Sequence, residues 1–222
     1  MSKILELLFP PRCVICECAG LHFCQNCRVS IVDVLKQTEI TGLPLSAGAL
    51  YGETLSQLIL MAKEENISAA RNVLVDLLVY AYVKLDISDA GERPLALIPI
   101  PSSRSANRKR GYRHSLLLAQ GVRSRLQSRG EQNVEVIDLL KVNRKISDMS
   151  ALNREQRSAN VSEAYSITSL RNESRVDGRV VILLDDLATT GSSIGEAMRC
   201  LRAVKIEPSG AISAGVSPHL IS

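Results

Sequence analysis

The chain has 222 residues, of which 45% are hydrophobic and 23% are charged, and its net charge is +4. This length allows one substantial hydrophobic core with a small appendage and excludes two full domains. The mildly basic balance suits phosphate-bearing ligands without requiring a nucleic-acid partner.

No segment of the sequence has the features of a membrane span or an export signal. The longest apolar stretch, Val73–Val83, contains Asp76 and falls short of the roughly 20 residues that a membrane helix needs. The first ten residues include an apolar patch, but it is too short for a signal peptide and Glu6 interrupts it. We therefore expect a cytoplasmic protein with no membrane span.

Five of the six cysteines lie within the first 27 residues. Four of them form two Cys-x-x-Cys pairs, namely Cys13, Cys16, Cys24 and Cys27. Two such pairs can surround zinc tetrahedrally at Zn–S distances of about 2.3 Å, as in a zinc ribbon or knuckle. Cys18 or His22 could replace one ligand, and free buried thiols or a redox dithiol are the alternative. We predict a structural Zn²⁺ site, because no ligand position is left open for catalysis.

Residues 1–45 are predicted to form this zinc-binding head, and residues 46–222 a second, larger domain. The segment Leu43–Gly48 has the composition of a connector. Beyond it, segments of helical period alternate with short apolar runs, which predicts an α/β fold with a mainly parallel sheet. Helices are predicted at 54–63, 69–85, 115–127 and 194–203, and strands at 95–101, 134–140, 163–168, 179–184 and 210–216.

The segment 181–193 is the most informative part of the sequence. Four apolar residues precede Asp185 and Asp186, and a loop of small residues then enters a helix. The loop consists of Thr189, Thr190, Gly191, Ser192 and Ser193. Such a loop presents backbone N–H groups to a phosphate at the positive end of a helix. Carboxylates accept hydrogen bonds from ribose hydroxyls and help to hold Mg²⁺.

The alternative for this segment is a plain strand followed by a helix whose N-cap is Ser192 or Ser193. Capping does not explain two acids placed directly after four apolar residues, so we prefer the phosphate-binding interpretation. Asp185 and Asp186 are not predicted to act as an acid/base pair, because adjacent strand residues point to opposite faces.

A basic loop follows the predicted strand at 95–101. Because this strand end belongs to the same predicted sheet, the loop is expected to bind an anion. The candidate residues are Ser102, Arg104, Arg108, Lys109 and Arg110. The alternative is a solvated loop or a nucleic-acid contact. His114 is expected either to contact phosphate or donate a proton, or to lie on the surface.

The segment 181–193 resembles the phosphoribosyl pyrophosphate (PRPP) motif of the type I phosphoribosyltransferases. In that motif the paired acids bind the ribose hydroxyls and the loop binds the 5-phosphate. The resemblance implies that the basic loop after the strand at 95–101 binds the pyrophosphate of PRPP. It also implies that residues 143–160 are either the loop that closes over PRPP in these enzymes or only a polar surface segment. Ala188 departs from it, since a larger aliphatic residue is usual there. A four-cysteine head followed by this motif is similar to the competence protein F (ComF) family, also called the double zinc ribbon and phosphoribosyltransferase family.

The resemblance spans nearly the whole chain. Its landmarks are Leu50-Tyr51-Gly52, Lys63, Ile98-Pro99-Ile100-Pro101, Arg108-Lys109-Arg110-Gly111-Tyr112, Leu152, Arg157 and Asn160. Two departures stand at positions expected to face the site: Arg113-His114 replace asparagine-glutamine, and Met149 replaces a glutamine.

The resemblance implies an enzyme that transfers the ribosyl 5-phosphate of PRPP to a nitrogen nucleophile. Asp185 and Asp186 would be its catalytic carboxylates, and Mg²⁺ would neutralise the pyrophosphate. The alternative is a non-catalytic accessory protein of DNA uptake, or competence, that binds a nucleotide or single-stranded DNA. A third interpretation is that the zinc head is a docking site for a protein of the competence machinery.

Overall fold

The structure is a computed structural model that describes residues 11–32, 36–87, 93–102, 107–108, 110–143, 164–168 and 174–221. Its helices are α1 (Gln25–Val32), α2 (Glu53–Lys63), α3 (Ser68–Lys84), α4 (His114–Ser128) and α5 (Ser192–Arg202). Its strands are β1 (Lys36–Ile40), β2 (Leu43–Ala47), β3 (Leu95–Pro99), β4 (Val134–Val136), β5 (Leu140–Val142), β6 (Tyr165–Ile167), β7 (Val180–Ala188) and β8 (Gly210–Val216). No helix in these ranges combines the length and apolar character that crossing a membrane requires.

Six strands form one sheet in the order β1-β2-β8-β7-β3-β4. The five strands from β2 to β4 in this order are mutually parallel, and β1 is antiparallel to β2 at one edge. Parallel neighbours need helical crossovers, which explains the alternation of helices and strands along the sequence. The predicted α/β fold with a mainly parallel sheet is therefore confirmed, and it is consistent with a type I phosphoribosyltransferase-like fold.

Strand β7 is buried on both faces, because alternate residues reach two different hydrophobic layers. Ile182 and Leu184 pack in the layer of α2, α3 and α4, whereas Val181 and Leu183 pack in the layer of α5, β5 and β6. Each fully buried aliphatic side chain contributes about 1.5–3 kcal/mol to stability. This fixes the register of β7, so the orientation of the residues that end it is fixed as well.

The segment Leu43–Gly48 was expected to be a connector, and this is wrong: residues 43–47 form β2. Leu43, Leu45 and Ala47 are buried, and β2 pairs with β1 and β8. Its glycine and proline content is typical of a loop, but the burial of four of the five strand residues and the pairing on both sides outweigh that composition. Residues 36–47 thus belong to the large sheet, and the domain boundary expected at residue 45 falls inside this sheet.

The run 134–140 was expected to be one strand, but it is divided between two sheets. β4 lies beside β3, and the backbone N–H of Ile137 still donates to the carbonyl of Leu97 at 3.0 Å. The chain then leaves the large sheet, and β5 pairs antiparallel with β6. The other predicted helices and strands are confirmed to within a few residues, except that β7 continues beyond Leu184 to Ala188 and includes the two aspartates.

The cysteine-rich head packs directly against the core. Val14, Ile15 and Phe23 contact the hydrophobic layer that contains α2, α3 and α4, and Ile31 of α1 is buried within it. Head and core therefore share apolar surface, so we expect damage to the head to lower the stability of the core as well.

Candidate functional site

Two carboxylates stand at the carboxyl end of β7 and point to opposite faces of the sheet. Asp186 continues the row of Ile182 and Leu184 toward α2 and α4, and Asp185 continues the row of Leu183 toward α5 and β6. The backbone N–H of Asp186 donates to Oδ1 of Asp185 at 2.9 Å. The two acids therefore have different surroundings, as the alternation along a strand requires.

Asp186 is buried, and a lysine at the end of α2 compensates its charge. Nζ of Lys63 donates to Oδ2 of Asp186 at 2.5 Å. Burial opposes ionisation of the carboxyl, but the Lys63 ammonium overcomes it and lowers the pKa of Asp186. Burial likewise opposes the charge on Lys63, and the carboxylate of Asp186 overcomes it and raises the pKa of Lys63. The two side chains therefore form an ion pair at neutral pH.

The hydroxyl of Tyr112 holds the end of α2 in place. It donates toward the carbonyls of Lys63, at 2.7 Å, and Ala62, at 2.9 Å. Tyr112 thereby satisfies carbonyls that have no partner within a helix end. This contact fixes the backbone from which Lys63 reaches Asp186.

His114, the first residue of α4, is fully buried beside this ion pair. Its Nε2 lies 3.7 Å from Oδ2 of Asp186, and neither ring nitrogen has a hydrogen-bond partner among the described residues. Burial lowers the pKa of His114 to about 4, and the positive charges of Lys63 and Arg110 act in the same direction. The surface position considered for His114 is therefore wrong, and its ring is neutral near pH 7.

In the described part of the chain, no cationic side chain lies as close to Asp185 as Lys63 lies to Asp186. Burial and the neighbouring charge of Asp186 raise the pKa of Asp185 well above its ordinary value. Burial and the charge of Asp185 in turn raise the pKa of Tyr165 in β6 to about 12. The backbone N–H of Tyr165 donates to Glu196 of α5 at 3.4 Å, which ties β6 to that helix.

The loop Thr189–Ser193 leads from β7 into α5. Gly191 is the N-cap residue and has a left-handed backbone, with φ of +73°. The hydroxyls of Thr190 and Ser192 share a hydrogen bond of 2.8 Å, and the backbone N–H of Ser192 donates to Oγ1 of Thr190 at 3.4 Å, but Gly191 has no side chain that could cap the helix. The capping alternative is therefore wrong, since Ser192 and Ser193 lie inside the first turn. Because Gly191 provides no side-chain acceptor, the other N–H groups of the first turn of α5 are suited to an anion.

Gly191 also packs tightly against the strand at the sheet edge. A Cβ atom at this position would lie 2.8 Å from Cδ1 of Ile40 in β1. Both this contact and the positive φ require glycine here. The side-chain direction of residue 191 is thus toward Ile40, not into a ligand space, so close approach to a phosphate is not what demands glycine.

The basic loop after β3 is described only in part. The described candidates are Ser102, Arg108 and Arg110, while Arg104 and Lys109 lie outside the described residues. Arg110 turns toward α2, where its Nε donates to Oε1 of Glu64 at 3.0 Å. Its side chain is only 6% exposed, whereas Arg108 is exposed. Arg108 is therefore the described arginine of this loop that is open to a ligand.

The pair Arg113-His114 departs from the pattern of the resembled family, and both side chains have defined partners. Arg113 forms a bidentate ion pair with Asp138, which lies in the turn between β4 and β5. Nη2 of Arg113 lies 2.6 Å from Oδ1 of Asp138. Because His114 lies beside Asp186, the two replacements connect α4 to the turn and to the end of β7. The other departure, Met149, and the landmarks Leu152, Arg157 and Asn160 lie outside the described residues, as does nearly all of the predicted loop 143–160.

Sequence reasoning did not place Lys63 or Tyr165 in the site. Lys63 was noticed only as a landmark of the resembled family, and Tyr165 carried no signal beyond its place in a predicted edge strand. Both reach the aspartates only because α2 and β6 pack on opposite faces of β7.

The structure brings the four predicted zinc ligands together. The sulfur atoms of Cys13, Cys16, Cys24 and Cys27 all lie within 4.8 Å of one another. Those of Cys16 and Cys24 are 3.5 Å apart, and the backbone N–H of Cys24 points to Sγ of Cys13 at 3.4 Å. A tetrahedral zinc ion places its sulfurs about 3.8 Å apart, so this set fits the metal. Cys18 and His22 are outside the cluster.

No protein-family model matches the chain. The chain is 29% identical over 197 residues to "Competence protein F" of Haemophilus influenzae. The matched region covers 89% of this chain and 81% of that protein. Together with the cysteine cluster, this similarity confirms the resemblance to the competence protein F family.

Proposed function

We propose that this relative of competence protein F binds a phosphoribosyl compound such as PRPP at the carboxyl end of β7. The observation that supports the proposal most strongly is the combination of two carboxylates with a helix start only a few residues later, where the N-cap residue is a glycine without a capping side chain. Ligands of open α/β sheets bind at the carboxyl ends of the strands. Carboxylates suit a ribose diol, and the helix start suits a phosphate.

The 5-phosphate would lie against residues 189–193. The backbone N–H groups of the first turn of α5 point toward the loop, and the partial positive charge of the helix favours a dianion there. Thr189 and Thr190 are exposed and offer hydroxyl donors.

The diol would be bound mainly by Asp185, because Oδ2 of Asp186 already accepts from Lys63. The ion pair with Lys63 keeps Asp186 charged and oriented. The backbone N–H of Asp186 donates to the carboxylate of Asp185 and thereby orients it. A diol that donates to Asp185 would favour the ionised form of this carboxyl, which its surroundings otherwise disfavour.

Mg²⁺ is implied by the resemblance as the companion of PRPP. Asp185 fits such an ion better than Asp186, because the Lys63 ammonium competes for Oδ2 of Asp186. When bound, the ion would neutralise the pyrophosphate as it leaves. Arg108, together with Arg104 and Lys109 of the same loop, would add positive charge on that side.

We further propose that the protein transfers phosphoribosyl to a nitrogen nucleophile. Positioning and electrostatics supply most of what such a step needs, and Asp185 and Asp186 would hold the ribose through it. A second candidate is a non-catalytic role in competence, which the name of the Haemophilus influenzae protein supports. Production of pyrophosphate from PRPP by the purified protein, across a panel of nitrogen nucleophiles, separates the two.

Calorimetry with PRPP and Mg²⁺ tests the binding proposal. We expect Asp185→Asn to weaken PRPP binding by about tenfold or more, because a charged acceptor for the diol is lost. Asp177→Asn is the matched control, since Asp177 is exposed and lies before β7. Equal PRPP affinity in the Asp185 variant, the control and the parent chain would rule out the proposed site.

We also propose that Cys13, Cys16, Cys24 and Cys27 hold one structural zinc ion. The division into a head and a phosphoribosyltransferase-like domain remains a proposal, with its boundary before β1 and not at residue 45. We place the protein in the cytoplasm, where reduced thiols favour a metal site over disulfides.

A further inference from the structure

A second candidate site lies in a cleft between the head and the core. It has a volume of about 410 Å³, which is within the usual range of small-ligand sites. The residues that give the cleft its chemical character are Phe23, Arg28, Asp76, Tyr80, Arg125 and Arg129. Phe23 and Arg28 belong to the head, Asp76 and Tyr80 to α3, and Arg125 and Arg129 to α4 and its C-terminal end.

The cleft is remote from the carboxyl end of β7. His114 begins α4 beside Asp186, whereas Arg125 and Arg129 lie at the other end of the helix. Fifteen helical residues span about 22 Å. The cleft and the proposed phosphoribosyl site therefore lie at opposite ends of α4, and the inference about the cleft does not depend on the phosphoribosyl site.

The charged groups of the cleft leave it positive. Nε of Arg125 lies 3.5 Å from Oδ1 of Asp76, so these two charges offset each other. Arg28 and Arg129 form no ion pair with any residue that the structure describes, and both are exposed. Asp76 is the only acidic residue among those that line the cleft in the described ranges. Two arginines of the same cleft, one from the head and one from the end of α4, are therefore available for an anion.

The inner surface of the cleft is apolar and partly aromatic. Phe23 and Tyr80 are half-buried there, and Val83 is 60% exposed. Aromatic rings beside unpaired guanidinium groups can stack a planar base while the guanidinium groups bind its phosphate. A simple anion would not use the apolar surface, and an uncharged apolar ligand would not use the arginines.

We propose that this cleft binds a nucleotide, with the phosphate on Arg28 and Arg129 and the base against Phe23 and Tyr80. The nucleotide is either a free mononucleotide or one unit of a single-stranded nucleic acid, because both present the same base and phosphate. The zinc head would then form one wall of a binding site.

Fluorescence anisotropy with a short labelled oligothymidylate, with dTMP and poly-glutamate as competitors, tests this proposal on the full chain. We expect R28E/R129E to weaken oligonucleotide binding by about tenfold or more. R123E/K141E makes the same change in net charge at two exposed residues outside the cleft that form no ion pair within the described ranges. We expect the affinity of this control for the oligonucleotide to fall by less than about threefold. We expect Tyr80→Leu to lower the affinity by about tenfold, because only base stacking is lost.

Each outcome decides the proposal. Displacement of the probe by dTMP supports a site for a single nucleotide, and resistance to dTMP with selective loss in R28E/R129E supports a strand. Equal losses of affinity in R28E/R129E and R123E/K141E overturn the proposal, as does failure of the labelled oligothymidylate to bind the parent chain. Displacement by poly-glutamate as effective as that by the oligonucleotide also overturns it, since the cleft would then be a surface for acidic peptides. Thermal melting of each variant shows that the compared proteins are folded.

Discussion

Nζ of Lys63 lies 2.5 Å from Oδ2 of Asp186, although the two residues are 123 positions apart in the chain. The Lys63 side chain is 27% exposed and that of Asp186 is 9% exposed, so water compensates neither charge fully. The second aspartate, Asp185, lacks this compensation, and its pKa is raised while that of Asp186 is lowered. The two adjacent acids should therefore respond differently to substitution.

We predict that Asp186→Asn lowers the free energy of unfolding by about 2 kcal/mol, because the Lys63 ammonium loses its partner in a partly buried position. Asp185→Asn should leave stability unchanged or raise it, since it removes repulsion between the two carboxylates. Urea denaturation at neutral pH measures both values, with Asp177→Asn as the control. Equal destabilisation by the two substitutions would contradict the assigned ion pair.

The proposed phosphate site at residues 189–193 is best tested by a substitution that leaves Gly191 in place. Gly191→Val would lose stability through the positive φ and the contact with Ile40 whether or not a phosphate binds. We predict instead that Thr190→Val weakens ribose 5-phosphate binding by about threefold to tenfold through loss of one hydroxyl donor. Thr190 is exposed, so the melting temperature should change little. Calorimetry measures the affinity, and an unchanged dissociation constant would exclude a contact between Thr190 and the phosphate.

A pH-dependent loss of stability is expected from His114. Its pKa is about 4 in the folded chain, against roughly 6.5 in an unfolded one. Between these pH values the unfolded chain therefore binds more protons than the folded chain. The free energy of unfolding consequently decreases as pH falls from roughly 6.5 toward 4. We expect this group to account for about 3 kcal/mol between pH 7 and pH 4.

His114→Gln removes this titration while keeping a polar side chain of the kind usual in the resembled family. The parent chain should therefore lose more unfolding free energy than the variant over that pH interval, as measured by urea denaturation at several pH values. Parallel pH curves for the two proteins would show that His114 titrates normally in the folded state.

We predict about one equivalent of zinc in protein purified without added metal, measured by elemental analysis. Cys16→Ser should lose the zinc, whereas Cys18→Ser should retain it because Cys18 lies outside the four-sulfur cluster. Metal loss should also lower the melting temperature of the whole chain, since Phe23 and Ile31 pack on the core. Zinc-free, fully stable parent protein would refute the site.

Patterns carried by neighbouring residues were enough to predict much of this protein. The spacing of the cysteines predicted the cluster, and the run of apolar residues before Asp185 and Asp186 predicted a buried strand of a parallel sheet. Alternation along that strand predicted that the two acids face opposite sides. Each of these features depends on short-range geometry, which a local stretch of sequence encodes directly.

Composition was a poor guide wherever pairing partners distant in the chain decided the structure. Leu43–Gly48 has the residues of a connector, but residues 43–47 form β2 because β8, more than 160 positions away, offers a pairing edge. The run 134–140 divides because β3 pairs with its first half and β6 with the strand that follows.

The chain by itself determined which side chains are able to bind a phosphate, a diol or a metal, because those capacities belong to residue type and local spacing. Only the tertiary structure decided their electrostatic state. Packing α2 and α4 on one face of β7 brought Lys63 and His114 to Asp186, and packing β6 on the other face placed Tyr165 on the side of Asp185. The strength of a charge interaction depends on distance and burial, and both are set by the fold and not by separation along the sequence.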